Sequence, residues 1–224
     1  ALQRVAYDAF ADQNGALIAL DPNDGSVLAF VSKPGYDPSY FVKGFDTATW
    51  QQIRDSIDRP LVNRASSGVY PPGSTLKPFL ALAGLEENLR TPVWSMWDPG
   101  YFSLPGRSYK FRDWKKGGHG QVNLHKAIVE SVDTYFYKLA DELGIDTIHR
   151  YLTRFGFGAK TGIDLPSEST GVAPSRDWKK RRFGAPWYPG DTISVGIGQG
   201  YNLVTPLQLA VATAGIANGH SLIQ

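Results

Sequence analysis

The triplet Pro71-Pro72-Gly73 constrains this chain more than any other short feature. Two consecutive prolines fix φ and withhold two amide donors, so neither a helix nor a central strand can run through them. The run that follows, STLKPFLALAGLEENL, has helical periodicity, which predicts an abrupt helix entry with Ser74 at the positive end. Gly68 and Gly73 also match the glycine spacing of a phosphate-binding loop, but Ser74 stands where its lysine belongs and Lys77 follows three residues later. Such a loop presents successive backbone amides to its ligand, and the prolines have none, so that reading fails.

A different chemistry fits the same residues. Ser74 and Lys77 are three apart and share one helical face, so the amine can reach the hydroxyl. A lysine in a partly dry site can lose its proton and act as base, while the helix end favours developing negative charge. Farther on, Ser131 and Asp133 interrupt an otherwise apolar helical stretch, ESVDTYFY, where two polar side chains must find partners or face a cavity. The pair could relay a proton to Ser74 or to a leaving amine, or it could mark a helix kink or a polar core pair. Ser56 in DSID and Ser175 in PSRD match the same short pattern, but their charged surroundings suggest surface loops.

Composition sets the outer limits. The chain has 224 residues, 42% hydrophobic and 12% aromatic, enough to bury a sizeable core as one large domain or as one domain with an appendage. Its formal charge of +2 comes from mixed signs, which gives nucleic-acid binding no electrostatic support. With no cysteine there is no disulfide, thiolate metal site or cysteine nucleophile. No apolar run approaches the roughly 18 residues needed to span a bilayer. Along the chain, two apolar runs around the turn cluster at 21–25 predict a β-hairpin over 15–32. Helices are expected near 47–57, over 74–89, from Asn123 to Gly144, over 146–156 and over 205–219, with a long aromatic surface excursion over 92–122. Two strands followed mostly by helices indicate an α+β fold. Gly196, Gly198 and Gly200 read as a close-packed turn rather than a dinucleotide fingerprint, because Tyr201 holds the place of the last glycine.

The order Ser-x-x-Lys then Ser-x-Asp resembles the penicillin-binding protein transpeptidase family, whose motifs are Ser-x-x-Lys, Ser-x-Asn and Lys-Thr-Gly. The blocks NRASSGVYPPGSTLKPF, FRDWKKGGHG, GIDLPSE and WYPGDTISVGIGQGYNLVTPLQLA extend the resemblance over residues 14–219. They are most similar to class B enzymes of the penicillin-binding protein 2 group, and Asp133 in place of the usual asparagine points the same way. The resemblance implies a penicillin-binding-protein/serine β-lactamase-like fold, an antiparallel sheet flanked by helices plus a helical subdomain. Residues 1–224 would form a transpeptidase domain, with its C-terminal strands beyond Gln224 and its membrane anchor and pedestal outside the chain. Ser74 would be the acylated nucleophile, Lys77 its general base, and Ser131 with Asp133 the second motif. The implied reaction joins peptidoglycan stem peptides through a serine acyl-enzyme that β-lactam antibiotics trap. The implied setting is the periplasmic face of the inner membrane, beside a glycosyltransferase and scaffold proteins of the elongation complex. The alternatives are a β-lactamase, which often carries a Glu-x-x-Leu-Asn that this chain lacks, and a β-lactam-sensing receptor domain of the same fold.

Two further expectations concern less certain motifs. The penicillin-binding protein 2 group binds zinc near the second motif with a cysteine as one ligand. Here Asp98, Asp113 and His119 could make such a site, with Val132 in the cysteine's place. In the competing reading Asp113 pairs with a nearby lysine or arginine and His119 is a turn residue. No cofactor is otherwise required. Lys160, Thr161 and Gly162 spell the third motif, but they follow the glycine-rich end of a helix and precede blocks that the family carries before its working copy. They are therefore expected to be a decoy, with the substrate-binding Lys-Thr-Gly beyond Gln224.

Overall fold

The structure is a computed structural model, and it describes residues 1–219. In chain order the elements are α1 (Leu2–Ala9), β1 (Gly15–Leu20), β2 (Val27–Lys33), α2 (Ser39–Lys43), α3 (Thr47–Arg54) and a 3-10 turn, Gly73–Leu76, leading into α4 (Lys77–Glu86). Next come β3 (Ser95–Asp98), β4 (Tyr101–Phe102), β5 (Phe111–Arg112), β6 (Gly120–Asn123), α5 (Leu124–Val129) and α6 (Asp133–Arg154). The last three are α7 (Arg176–Phe183), α8 (Pro189–Val195) and α9 (Pro206–Asn218). The α+β class expected from the sequence is the class observed. The third motif and the sheet strands expected beyond Gln224 lie outside the described residues.

The described residues form two compact units. The first comprises residues 1–70, 159–170 and those from Thr205 on. Its sheet is the expected hairpin: β1 and β2 pair antiparallel, Gly15 opposite Lys33, with a bulge at Ala19/Leu20. Ala6 of α1 packs on Ala29 and Val31 of β2, with Phe10, Leu17 and Ala19 around them. Helix α9 begins as the sequence predicted, with Pro206 in its first turn. Thr205 and Gln208 close a reciprocal capping box, and Gly219 ends the helix in the left-handed conformation that a residue without Cβ adopts freely. A cavity of about 590 Å³ between β1 and α9 is lined by aliphatic residues and prolines, with Thr213 the one hydroxyl.

The second unit comprises residues 71–158 and 171–204. Helices α4 and α6 make its centre, burying Leu76, Phe79, Leu80, Phe136, Leu139 and Ile148 almost completely. Burial of each such side chain contributes about 1.5–3 kcal/mol. Their close approach depends on Gly84, where a Cβ would come within 2.8 Å of a Leu139 methyl.

Several boundaries differ from expectation. The helix predicted from Ser74 starts as the 3-10 turn and becomes α-helical only at Lys77, ending at Glu86 rather than Leu89. The excursion over 92–122 holds two antiparallel strand pairs, β3 with β6 and β4 with β5. The helix predicted from Asn123 to Gly144 is two helices, because the backbone turns at Ser131. At Gly144 (φ 69°, ψ 159°) the chain kinks, and the next helix follows without a loop. Ser175 is the N-cap of α7, its hydroxyl accepting the Trp178 amide, rather than a loop residue. Helices α1, α2, α7 and α8 are short, and α7 is so rich in charge that no apolar face marks it in the sequence.

Candidate active site

Ser74 is exposed within the 3-10 turn, and Lys77 is 1% exposed directly after it. The Lys77 amide donates to the Ser74 carbonyl, which closes the turn. Residues three apart eclipse in 3-10 geometry, so the two side chains lie on one line more closely than an α-helix would put them. The loop at Gly196–Gly200 holds this turn in place. The Gly73 amide donates to the Gly198 carbonyl at 2.9 Å, and a Cβ on Gly198 (φ 68°) would sit 2.1 Å from the Gly73 oxygen. Glycine is required there both for the positive φ and for the contact. The close-packed turn read from the sequence is therefore a buttress for the Ser74 loop.

Ser131 and Asp133 converge on Lys77. Lys77 Nζ donates to the Ser131 carbonyl at 2.8 Å, to Ser131 Oγ at 3.0 Å and to Asp133 Oδ1 at 2.6 Å. The local fold that permits this is a helix end. The Ser131 amide bonds to the Ile128 carbonyl and the Val132 amide to the Ala127 carbonyl, the paired bonds of a Schellman motif. Glycine usually occupies the left-handed position of that motif; here Ser131 does, at φ 52°. A serine held there costs on the order of 1 kcal/mol or more, a strain that the surrounding bonds must sustain. In return, its carbonyl and hydroxyl both face the lysine. Helix α6 then starts at Asp133 without a cap from its own N-cap residue, Val132. The cap comes from afar: Asp113 Oδ2 accepts the Thr134 amide at 2.9 Å and the Thr134 hydroxyl at 3.3 Å.

Ser74, Ser131 and Asp133 border one open cleft of about 590 Å³. Ser74, Ser131, Asp133, Glu130 and Gln199 supply its polar lining, and Trp114, Val129 and Ile197 its apolar lining. The sequence reading did not single out Trp114, Glu130, Ile197 or Gln199. The signal available was only that Trp114, Ile197 and Gln199 fall inside blocks matched as wholes and that Glu130 opens the stretch holding the second motif.

The three proposed metal ligands do come together. Asp98, Asp113 and His119 are buried, and one donor atom from each lies within 4.8 Å of the others. Pairing of β3 with β6 sets Asp98 opposite Gly120, which brings His119 alongside. His119 Nδ1 is 2.8 Å from Asp98 Oδ2 and 3.6 Å from Asp113 Oδ1. Burial pushes the Asp98 carboxyl up, but contacts with Thr134, the Gly100 amide and His119 outweigh it and hold the group below its ordinary value. Asp113 is engaged by Thr134, the Lys115 amide and His119 rather than by a lysine or arginine side chain, contrary to the competing reading. Two buried carboxylates with one imidazole make a donor set suited to zinc, and their surplus negative charge favours a cation. Val132, fully buried, offers no donor atom. Glu130 is the other carboxylate at hand, its Oε2 3.9 Å from His119 Nε2, a buried nitrogen with no hydrogen-bond partner.

Lys160 behaves differently. It is exposed in irregular backbone, not on a strand. Thr161 spends its amide and hydroxyl on Glu168 Oε1, each at 2.7 Å.

Comparison with known proteins places the chain in a family. Residues 15–224 match the family described as penicillin binding protein transpeptidase domain, and the chain belongs to that family. It is 54% identical over 97% of its length to the peptidoglycan D,D-transpeptidase MrdA of Acinetobacter baumannii, of which it covers 32%. Among solved structures, penicillin-binding protein 2 of Pseudomonas aeruginosa in complex with WCK 5153 superposes with a TM-score of 0.94 at 51% identity, over 97% of this chain and 47% of that one. Penicillin-binding protein 2 of Helicobacter pylori in complex with MreC gives 0.94 at 42% identity, over 99% and 41%. The chain thus spans about a third of the curated relative and less than half of the solved chains. No helix among the described residues is long and apolar enough to cross a membrane.

Proposed function

We propose that the protein carrying this chain is a peptidoglycan D,D-transpeptidase working through a serine acyl-enzyme. The observation that carries this reading is the buried Lys77 amine, held by Ser131 and Asp133, which line one cleft with the exposed Ser74. Ser74 Oγ attacks the carbonyl carbon between the terminal D-alanines of a stem peptide, and Lys77 Nζ takes the hydroxyl proton. The ammonium so formed stays bound by Asp133 and the Ser131 carbonyl. Ser131 Oγ hands its proton to the departing D-alanine amine as the C–N bond breaks, and recovers one from Lys77. The Ser74 ester is then attacked by the amine of a neighbouring stem, whose surplus proton returns along the same path to Ser74. A β-lactam enters the first half only, because its leaving amine remains tethered by the ring. A fluorescent penicillin should therefore label the full-length protein, and Ser74→Ala should abolish labelling. Undiminished labelling of that variant overturns the reading, and fast release of the label would indicate a β-lactamase instead.

Asp98, Asp113 and His119 would hold zinc in this reading. The ion would supply a fixed positive charge that locks the three side chains, and through Asp113 the start of α6. Elemental analysis should find one zinc per protein, lost in His119→Ala; metal-free protein of full thermal stability overturns it. The partners proposed are stem peptides, β-lactams, a polymerising glycosyltransferase and an elongation-complex scaffold comparable to MreC, at the periplasmic face of the inner membrane. Cross-linking of the full-length protein in cells tests this, and recovery of neither protein partner counts against it.

A further inference from the structure

The segment 107–116, RSYKFRDWKK, carries five cations, Arg107, Lys110, Arg112, Lys115 and Lys116, in a chain whose formal charge is only +2. All five are exposed, and none forms an ion pair among the described residues. The one acid in the segment, Asp113, is buried and engaged by Thr134 and His119. Like charges this close repel one another, so holding them on ordered backbone costs stability that an anionic ligand would restore. The backbone here is well held. β4 pairs with β5, the Asp113 amide donates to the Gly100 carbonyl, and Phe102 and Phe111 pack on the Tyr137 ring of α6, whose hydroxyl donates to the Arg112 carbonyl at 3.3 Å. Between Ser108, Tyr109, Lys110 and Arg112 lies an open depression of about 460 Å³. Tyr109 is 68% exposed, its ring set edge-on to Phe111 with centroids 4.9 Å apart, and the Lys110 ammonium lies 4.0 Å from the Tyr101 ring centroid. A charged face that only solvates the fold needs neither a concavity nor exposed rings fixed beside its cations.

We propose that this ribbon is a second substrate-binding surface, outside the cleft, for an anionic glycan strand: peptide carboxylates on the strand pair with Lys110 and Arg112, and a sugar ring packs its apolar face on Tyr109. The proposal rests on the reading of the protein as a peptidoglycan transpeptidase. The Arg112 guanidinium can take a carboxylate through two parallel hydrogen bonds, and the tyrosine ring is fixed before the ligand arrives, so little rotamer entropy opposes the contact. Two residues past Arg112 the chain reaches Trp114 in the lining of the cleft that Ser74 borders, so a strand held on the ribbon is kept close to the reacting groups. The surface acts on capture of the polymer and touches no reacting atom.

The test measures binding of soluble, uncross-linked peptidoglycan strands to the full-length protein, acylated beforehand with penicillin so that stem peptides cannot occupy Ser74. Strands are used native or with their carboxylates converted to amides. Lys110→Glu combined with Arg112→Glu should weaken binding of native strands by about tenfold at low salt, and the gap should narrow as salt screens it. Amidation should weaken wild-type binding by a similar factor and leave the variant little changed. Tyr109→Ala should weaken binding of both kinds of strand by about threefold, the scale of a lost ring contact. Native strands that bind the double variant as tightly as wild type overturn the proposal, as does an equal loss on native and amidated strands or no strand binding by acylated wild type. If the double variant does not fold by circular dichroism, Lys110→Gln with Arg112→Gln is measured against the same outcomes. Wild-type protein that takes up no penicillin would instead remove the transpeptidase reading, an outcome read before any strand is added.

Discussion

Lys77 and Lys160 both belong to short motifs of the same family, and the chain treats them in opposite ways. Lys77 opens a helix, is almost fully buried and makes three hydrogen bonds to Ser131 and Asp133. Lys160 lies exposed in a loop whose neighbouring Thr161 is occupied by Glu168. A motif states which residue types are present. Reactivity also requires that water be excluded and that every polar group left inside be given a partner. Around Lys77 both conditions are met. Around Lys160 the loop is satisfied internally, and the ammonium is left to solvent.

The largest expected effect tests the Lys77 side of this contrast. Lys77→Ala should slow penicillin acylation by about 10²–10⁴, the usual contribution of a positioned general base. It also leaves Asp133 without its cation. Labelling of the variant at the wild-type rate would show that the three hydrogen bonds are structural only.

A middle-sized effect concerns the packing that carries Lys77. Arg90, 4% exposed, pairs with Glu142 of α6 and lies over the Trp94 ring. Burial pushes the Glu142 carboxyl up, but bonds from Lys138 and Arg90 outweigh it and hold it below the ordinary value of 4.5. A carboxyl depressed in the folded state stabilises above its unfolded value, and that stability is lost as pH falls through the folded one. Glu142→Gln should therefore cost about 1–2 kcal/mol at neutral pH, discounted from a fully buried pair because Glu142 is partly exposed. The gap from wild type should close as pH drops below about 4.5, the ordinary glutamate value. Denaturant unfolding at pH 7 and pH 3.5 reads both values. A gap that is constant or widens toward acid would remove the ion pair from the account.

The smallest effect is on the other side. Lys160→Ala in the full-length protein should leave acylation within about threefold, as expected of an exposed loop residue. A loss of about a hundredfold with the fold intact would erase the contrast, being far outside what surface substitutions do.

Much of this was legible in the residues. The hairpin announced itself through its turn cluster, the helix after Pro71-Pro72-Gly73 through its entry, and α9 through Pro206 and Gly219. Ser74 and Lys77 could be put on one line from spacing alone, because three residues span one helical turn whether its geometry is α or 3-10. The break at Ser131 was legible only as one alternative, a helix kink, since the left-handed position that glycine usually marks is held by a serine and stabilised by Lys77, 54 residues earlier. The cap on α6 escaped for the same reason, because it comes from Asp113, 21 residues before Thr134. Local chemistry is written in local sequence: propensity, periodicity and turn residues act within a few positions. The environment that buries the Lys77 amine between Ser131 and Asp133, and gathers Asp98, Asp113 and His119 into a cluster, is assembled from distant segments, so only tertiary structure decided it.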